Sequence, residues 1–172
     1  MDLLIPDIYQ KSIYSINYKK LKKNGIKCLL FDLDNTIVTY KETMPDSKLK
    51  ELFAHLEEDF KVIIISNSNK KRLTPFKEKL NVDVAFSSRK PLKKKYKKII
   101  ELYKFNESEI ACIGDQLLTD VLGANRMGFT SILVNRIASQ EVITTRINRF
   151  FEKFFLRKLA KKNILIMGEY YD

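Results

Sequence analysis

Lys27-Cys28-Leu29-Leu30-Phe31-Asp32-Leu33-Asp34-Asn35-Thr36 decides how this chain is read. Cys28 to Phe31 is a short, unbroken apolar run with Gly25 just ahead of it, the pattern of a fully buried strand. It ends on two carboxylates one residue apart, at the end where an α/β sheet usually carries its ligands. On a continuing strand, side chains at i and i+2 share a face, so the two acids would repel unless a cation or a proton stood between them. A calcium loop also begins Asp-x-Asp. Its sixth position should be Gly and its twelfth Glu, but here they are Ile37 and Thr43, which excludes it.

The elements around that strand follow from periodicity. Pro45-Asp46-Ser47 opens a helix with apolar positions Leu49, Leu52, Phe53 and Leu56. Val62 to Ile65 is a second buried strand, ending on Ser66-Asn67-Ser68-Asn69. A helix with Leu73, Phe76 and Leu80 follows, interrupted or shifted by Pro75. Val82 to Phe86 is a third strand, leading to Lys90 and to Pro91, which suits the first turn of a helix striped by Leu92, Tyr96, Ile99, Ile100 and Tyr103. Ile110 to Ile113 is a fourth strand, running into Gly114-Asp115 and a helix that stops near Gly128. Thr130 to Val134 is a fifth. Strands alternating with amphipathic helices predict an α/β fold, a parallel sheet covered on both faces.

Composition agrees. A chain of 172 residues, 45% hydrophobic and 31% charged, suits one folded domain with a real core. The formal charge of +11 admits nucleic acid, an anionic membrane surface, an anionic substrate, or a lysine-rich genome with no partner implied. Cys28 and Cys112 lie inside apolar strands without Cys-x-x-Cys spacing, so they read as core residues in a reducing, cytoplasmic compartment. His55, the single histidine, falls on the polar side of its helix, and no chemistry is expected of it. No stretch approaches the roughly 18 apolar residues of a membrane span.

In such a sheet the carboxyl ends of the strands collect along one edge. That edge would gather Asp32 and Asp34, Ser66 and Asn67, Lys90, and Asp115 with Asp120. Each has a use in phosphoryl transfer. A carboxylate can attack phosphorus, and a protonated carboxyl can donate to the leaving oxygen. Hard oxygen ligands hold Mg²⁺, while a hydroxyl and an ammonium offset charge on the phosphoryl oxygens.

These four motifs, in this order across residues 26–135, resemble the haloacid dehalogenase (HAD) superfamily of aspartate-nucleophile phosphatases. The resemblance implies a three-layer, Rossmann-like core and a Mg²⁺ cofactor. It makes Asp32 the nucleophile and Asp34 the general acid/base, with Thr36 supporting the turn and the acid/base. Ser66, Asn67 and Lys90 would serve the phosphate, Asn67 by shaping its loop. Asp32, the backbone carbonyl of Asp34, and Asp115 would hold the metal, with Asp120 a second acidic partner. Neither the Thr36–Val62 gap nor the Lys90–Asp115 gap has room for a cap domain. Members without a cap tend to act on phosphates presented by large molecules or assemblies.

Pro6-Asp7-Ile8-Tyr9, Ser12-Ile13, Gly25-Ile26-Lys27 and Thr145-Arg146-Ile147-Asn148-Arg149 look like the subclass IIIA, YqeG-type group, related to phosphatidylglycerophosphate phosphatases. That likeness implies a phosphorylated anionic phospholipid as substrate and peripheral contact with the inner face of a membrane. A soluble sugar phosphate, nucleotide or phosphoprotein is the alternative. A non-catalytic RNA-binding protein is disfavoured, because no glycine-rich RNA loop or cluster of stacking aromatics occurs.

The flanks are expected to be separate pieces. Residues 1–25 form a basic, aromatic arm, packed on the domain or facing lipid. Residues 136–172 form a basic amphipathic helix and a tail. Ile143, Ile147, Phe150, Phe151, Phe154, Phe155 and Leu159 recur along that helix at three- and four-residue steps among arginines and lysines. Such a face can pack on the core or lie on an anionic bilayer. Ile164 to Met167 is a candidate edge strand.

Overall fold

The computed structural model describes residues 2–138 and 143–172, with the side chains of 143–149 left out of the description. The chain folds as β1 (Ile8–Gln10), α1 (Tyr18–Lys23), β2 (Cys28–Phe31), α2 (Ser47–Glu57), β3 (Lys61–Ile65), α3 (Lys70–Leu80) and β4 (Asp83–Ala85). There follow α4 (Lys94–Tyr103), β5 (Ile110–Gly114), a π-helical turn (Leu117–Val121), α5 (Leu122–Met127), β6 (Thr130–Val134) and α6 (Ile143–Ala160).

The strands form one parallel sheet in the order β1-β6-β5-β2-β3-β4. The chain builds outward from β2 through β3 and β4, then returns to lay β5 and β6 on its other side. The order therefore reverses between β2 and β5, the place where open α/β sheets bind ligands. All four residues of β2 are buried. Alternate side chains divide between the two faces: Leu29 and Phe31 pack with Leu49, Phe53 and Phe76 on one, and Cys28 and Leu30 with Tyr96, Ile99 and Phe129 on the other. Phe31 and Phe53 lie 5.1 Å apart between ring centroids.

Several expectations need correction. The N-terminal segment contributes β1, the sheet's edge strand beside β6. Only Tyr9 of its three residues is buried, too short a pattern to show periodicity. Ile164–Met167 is not a strand: Leu165 turns into the core beside Leu159, and the bridge to Tyr9 is made by Tyr171. Pro75 lies inside α3 without ending it. Burial of Leu73, Phe76 and Leu80 along one stripe holds that helix together, and the Thr74 hydroxyl donates to the Lys70 carbonyl. Pro91 precedes α4 rather than opening it, and Leu92 is exposed. Residues Ser87 to Leu92 instead make a tight loop, with Ser87 and Arg89 at positive φ.

Among its described side chains, from Phe150 on, α6 packs through one side. Leu159 is buried and Phe155 and Leu156 are half-buried, while Phe150, Phe151 and Phe154 face outward. The expected apolar positions Ile143 and Ile147, like Thr145, Arg146, Asn148 and Arg149 of the family likeness, lie outside the described side chains.

Candidate active site

The site stands on three strand ends. β2 delivers Asp32, β5 delivers Asp115, and the π-helical turn after β5 brings back Asp120. These three buried carboxylates each offer an oxygen, and the three oxygens lie within 4.8 Å of one another. Gly114 makes the approach possible. A Cβ there would sit 2.2 Å from Cγ of Asp120, so any side chain would push that carboxylate away. The Gln116 N–H donates to Asp120 at 3.1 Å and fixes its orientation.

Lys90 enters from the β4–α4 loop, and its Nζ donates to Asp32 and to Asp120 at 2.6 Å each. It is 6% exposed, so these charge-assisted bonds form away from water. One ammonium is thus shared between two carboxylates, with the Asp115 carboxylate close by. Burial pushes the Asp32 carboxyl up to about 8, with Asp120 and Asp115 adding to the rise and Lys90 opposing it. The pull of Asp120 and Asp32 outweighs the burial of Lys90 and keeps its ammonium charged.

The other expected residues are placed as follows. The Thr36 hydroxyl donates to Asp115 at 3.1 Å and reaches Asp32 at 3.4 Å, so it braces those two and not Asp34. Asn67 braces the Lys90 loop. Its Oδ1 accepts from the Lys90 N–H at 2.7 Å and the Ser88 hydroxyl at 2.8 Å, and its Nδ2 donates to the Lys90 carbonyl at 3.3 Å. Ser66 is buried at the end of β3, its hydroxyl accepting from the Ser68 N–H at 3.1 Å. Asp34 is not among the clustered carboxylates. Its oxygens accept from the Ser68 hydroxyl at 2.7 Å and from Arg72 Nε and Nη2 at 3.0 and 2.8 Å.

Arg72, Ser68 and Glu152 were not singled out from the sequence. Arg72 also donates to the carbonyls of Thr39 and Glu42, tying the β2–α2 connection to α3. Its signal was its place in the first turn after the Asn69 cap, masked by the neighbouring Lys70 and Lys71. Glu152, buried on α6, accepts from the backbone N–H groups of Leu117 and Leu118 at the start of the turn that carries Asp120. An acid within an aromatic helix face gives no such signal in sequence. Cys28 and Cys112 are buried beneath the site, and burial raises each thiol to about 12, so neither is poised as a nucleophile.

The chain is similar to several known proteins. A family model described as Mitochondrial PGP phosphatase matches residues 1–138. The Bacillus subtilis (strain 168) protein described as Probable phosphatase YqeG is 38% identical over 159 residues, spanning 92% of each chain. A Schizosaccharomyces pombe protein described as Probable phosphatidylglycerophosphatase, mitochondrial, is 30% identical over 158 residues, 80% of this chain and 72% of that one. Among solved structures, the HAD-hydrolase YfnB from Bacillus subtilis, bound to magnesium, superposes with a TM-score of 0.54 at 15% identity, over 69% of this chain and 91% of that one. The D,D-heptose 1.7-bisphosphate phosphatase from B. bronchiseptica, complexed with magnesium and phosphate, gives 0.51 at 18% identity, over 63% and 80%. At these identities the superpositions speak for the fold.

Proposed function

The chain belongs to the family described as Mitochondrial PGP phosphatase and is a phosphatase on the HAD fold; from that premise we propose a Mg²⁺-dependent phosphomonoesterase acting through an aspartyl phosphate on Asp32. The observation that carries it is the carboxylate cluster: Asp32, Asp115 and Asp120 each offer an oxygen within 4.8 Å of the others, and the Lys90 ammonium bridges two of them. Three buried hard oxygen donors this close together fit a divalent cation, and Asp32 and Asp115, with the Asp34 backbone carbonyl, would hold it. When bound, Mg²⁺ supplies charge neutralisation at the phosphoryl oxygens.

The chain's own groups then have defined tasks. An Asp32 oxygen forms a bond to phosphorus as the ester P–O bond breaks, and the leaving oxygen takes a proton from Asp34. Water attacks the aspartyl phosphate and gives its proton to Asp34, which frees phosphate and restores Asp32. Arg72 and Ser68 set the orientation of the Asp34 carboxyl. Lys90, held in place by Asn67, draws on the phosphoryl charge with the Ser66 hydroxyl beside it. Asp120 positions Lys90.

For the substrate we take phosphatidylglycerophosphate. The support is the family match, the relative described as a phosphatidylglycerophosphatase, the lack of a cap domain, and the +11 charge of the chain. An anionic phospholipid puts the protein at a membrane surface. Among the described residues no helix is long and apolar enough to cross one, so contact would be peripheral. The domain reading is retained as part of this proposal, with residues 26–135 as the catalytic core and the flanks serving it. Phosphate release from phosphatidylglycerophosphate, sugar phosphates, nucleotides and phosphopeptides, measured side by side with Mg²⁺ or chelator, tests the assignment. Undiminished Mg²⁺-dependent release by Asp32→Asn would reject the nucleophile, and preferential turnover of a soluble ester would reject the lipid.

A further inference from the structure

Three connections at the carboxyl edge of the sheet carry apolar side chains that are exposed among the described residues. Met44, in the β2–α2 connection, is 57% exposed; Leu92, in β4–α4, is 52% exposed; Ile137, in β6–α6, is 51% exposed. In an all-parallel sheet these connections leave the same edge, the one that carries Asp32. Local bonds tie each to the site. The Ile137 N–H donates to the carbonyl of Asn35 at 3.0 Å. Leu92 follows Lys90 by two residues, and Met44 follows Glu42, whose carbonyl Arg72 holds while it grips Asp34. Single exposed apolar residues are ordinary on a protein surface. Three on three separate connections around one cleft are a pattern.

Exposed cations stand among them: Lys70 and Lys71 at the start of α3, and Arg89, Lys93 and Lys94 around Leu92. Apolar tips interspersed with lysines do not make the lysine-poor core of a protein–protein interface. Two copies of a +11 chain would also repel through this face. The same mixture suits the headgroup region of an anionic bilayer, where apolar tips enter the acyl boundary and ammonium groups meet phosphate. Resting on the reading of the substrate as a phospholipid, we propose that this rim is a docking surface for an anionic lipid bilayer. It meets the membrane with the carboxyl edge of the sheet, so that Asp32 faces the headgroups. The outward Phe150, Phe151 and Phe154 of α6 offer the competing anchor.

Sedimentation with phosphatidylglycerol and phosphatidylcholine vesicles decides between them, with hydrolysis of a water-soluble aryl phosphate followed in parallel. The wild-type protein should sediment with the anionic vesicles, be released by salt, and stay in solution with the zwitterionic ones. Met44→Ser/Leu92→Ser/Ile137→Ser should lose about tenfold or more of the bound fraction while keeping aryl phosphate turnover within about twofold. Lys93→Glu/Lys94→Glu, which leaves the apolar rim intact, should also weaken binding. Leu102→Ser, at the far end of α4, should not. The proposal is overturned if wild type does not sediment with anionic vesicles, or if the lysine variant binds as wild type does. It is equally overturned if binding is lost through Phe150→Ser/Phe154→Ser and kept by the rim variant, or if the rim variant changes only the oligomeric state. The substrate reading fails separately: protein that binds anionic vesicles yet releases no phosphate from phosphatidylglycerophosphate within them keeps the docking surface and loses the substrate. Hydrolysis of that lipid in detergent by protein that never sediments does the reverse.

Discussion

Burial strips Asp32 of water and leaves it an ammonium shared with Asp120, so its carboxyl rises from 3.8 to about 8. An acid whose pKa is higher in the native than in the unfolded state holds more protons when folded, so stability falls as pH rises between the two values. In chelator, the stability of the protein should therefore decline between about pH 4 and pH 8. Asp32→Asn should flatten that slope and raise the Tm at pH 8 by about 2–4 °C, measured by thermal melts across the range. The same substitution should lower turnover by about 10³-fold or more, because no other group takes over the attack. Asp32 and Asp115 were legible in sequence because each directly follows an apolar strand or its Gly114, and Asp34 and Asp120 because of their short spacing from them. Asn67 was legible as a loop residue but not as the one that brackets Lys90, since that bond spans 23 positions of sequence. Thr36 sits where expected but braces Asp115, a partner 79 residues away.

Elements hold these residues to their distances, and two contacts between elements can be broken singly. Gly114 closes β5 against the Asp120 carboxylate. Gly114→Ala should displace Asp120 and with it Lys90, lowering kcat by about 10²-fold, while circular dichroism stays that of the native fold. Glu152 joins α6 to the π-helical turn. Glu152→Ala would leave the Leu117 and Leu118 amides short of an acceptor in a buried place. That should cost about 1–3 kcal/mol in denaturant unfolding, and hydrogen exchange should quicken at those two amides. Periodicity exposed β2, β3, β5, β6 and the stripes of α2, α3 and α4, because each buries apolar side chains in a regular repeat. It missed β1, which buries one residue, and promoted Ile164–Met167, whose apolar run serves a turn.

Across the whole molecule the sheet order sets what the site can bind. Asp32 and Asp115 leave adjacent strands at the point where the order reverses, and with Asp120 they bring three buried carboxylates together. A divalent cation should therefore stabilise the fold as well as activate it. At roughly a hundredfold excess over its Kd, Mg²⁺ should raise the Tm by about 5–10 °C. Asp115→Asn should abolish that shift if the cation binds where proposed. The sequence by itself determined the α/β class, the strands at its centre and the identity of the acidic groups, since these follow from local apolar runs and from what ends them. Only the tertiary structure decided how Asp32-Leu33-Asp34 divides. The first carboxylate turns inward to Lys90, Asp115 and Asp120, and the second goes to Arg72 and Ser68. Two side chains two residues apart part company there because their partners come from different elements of the chain, which sequence spacing does not encode.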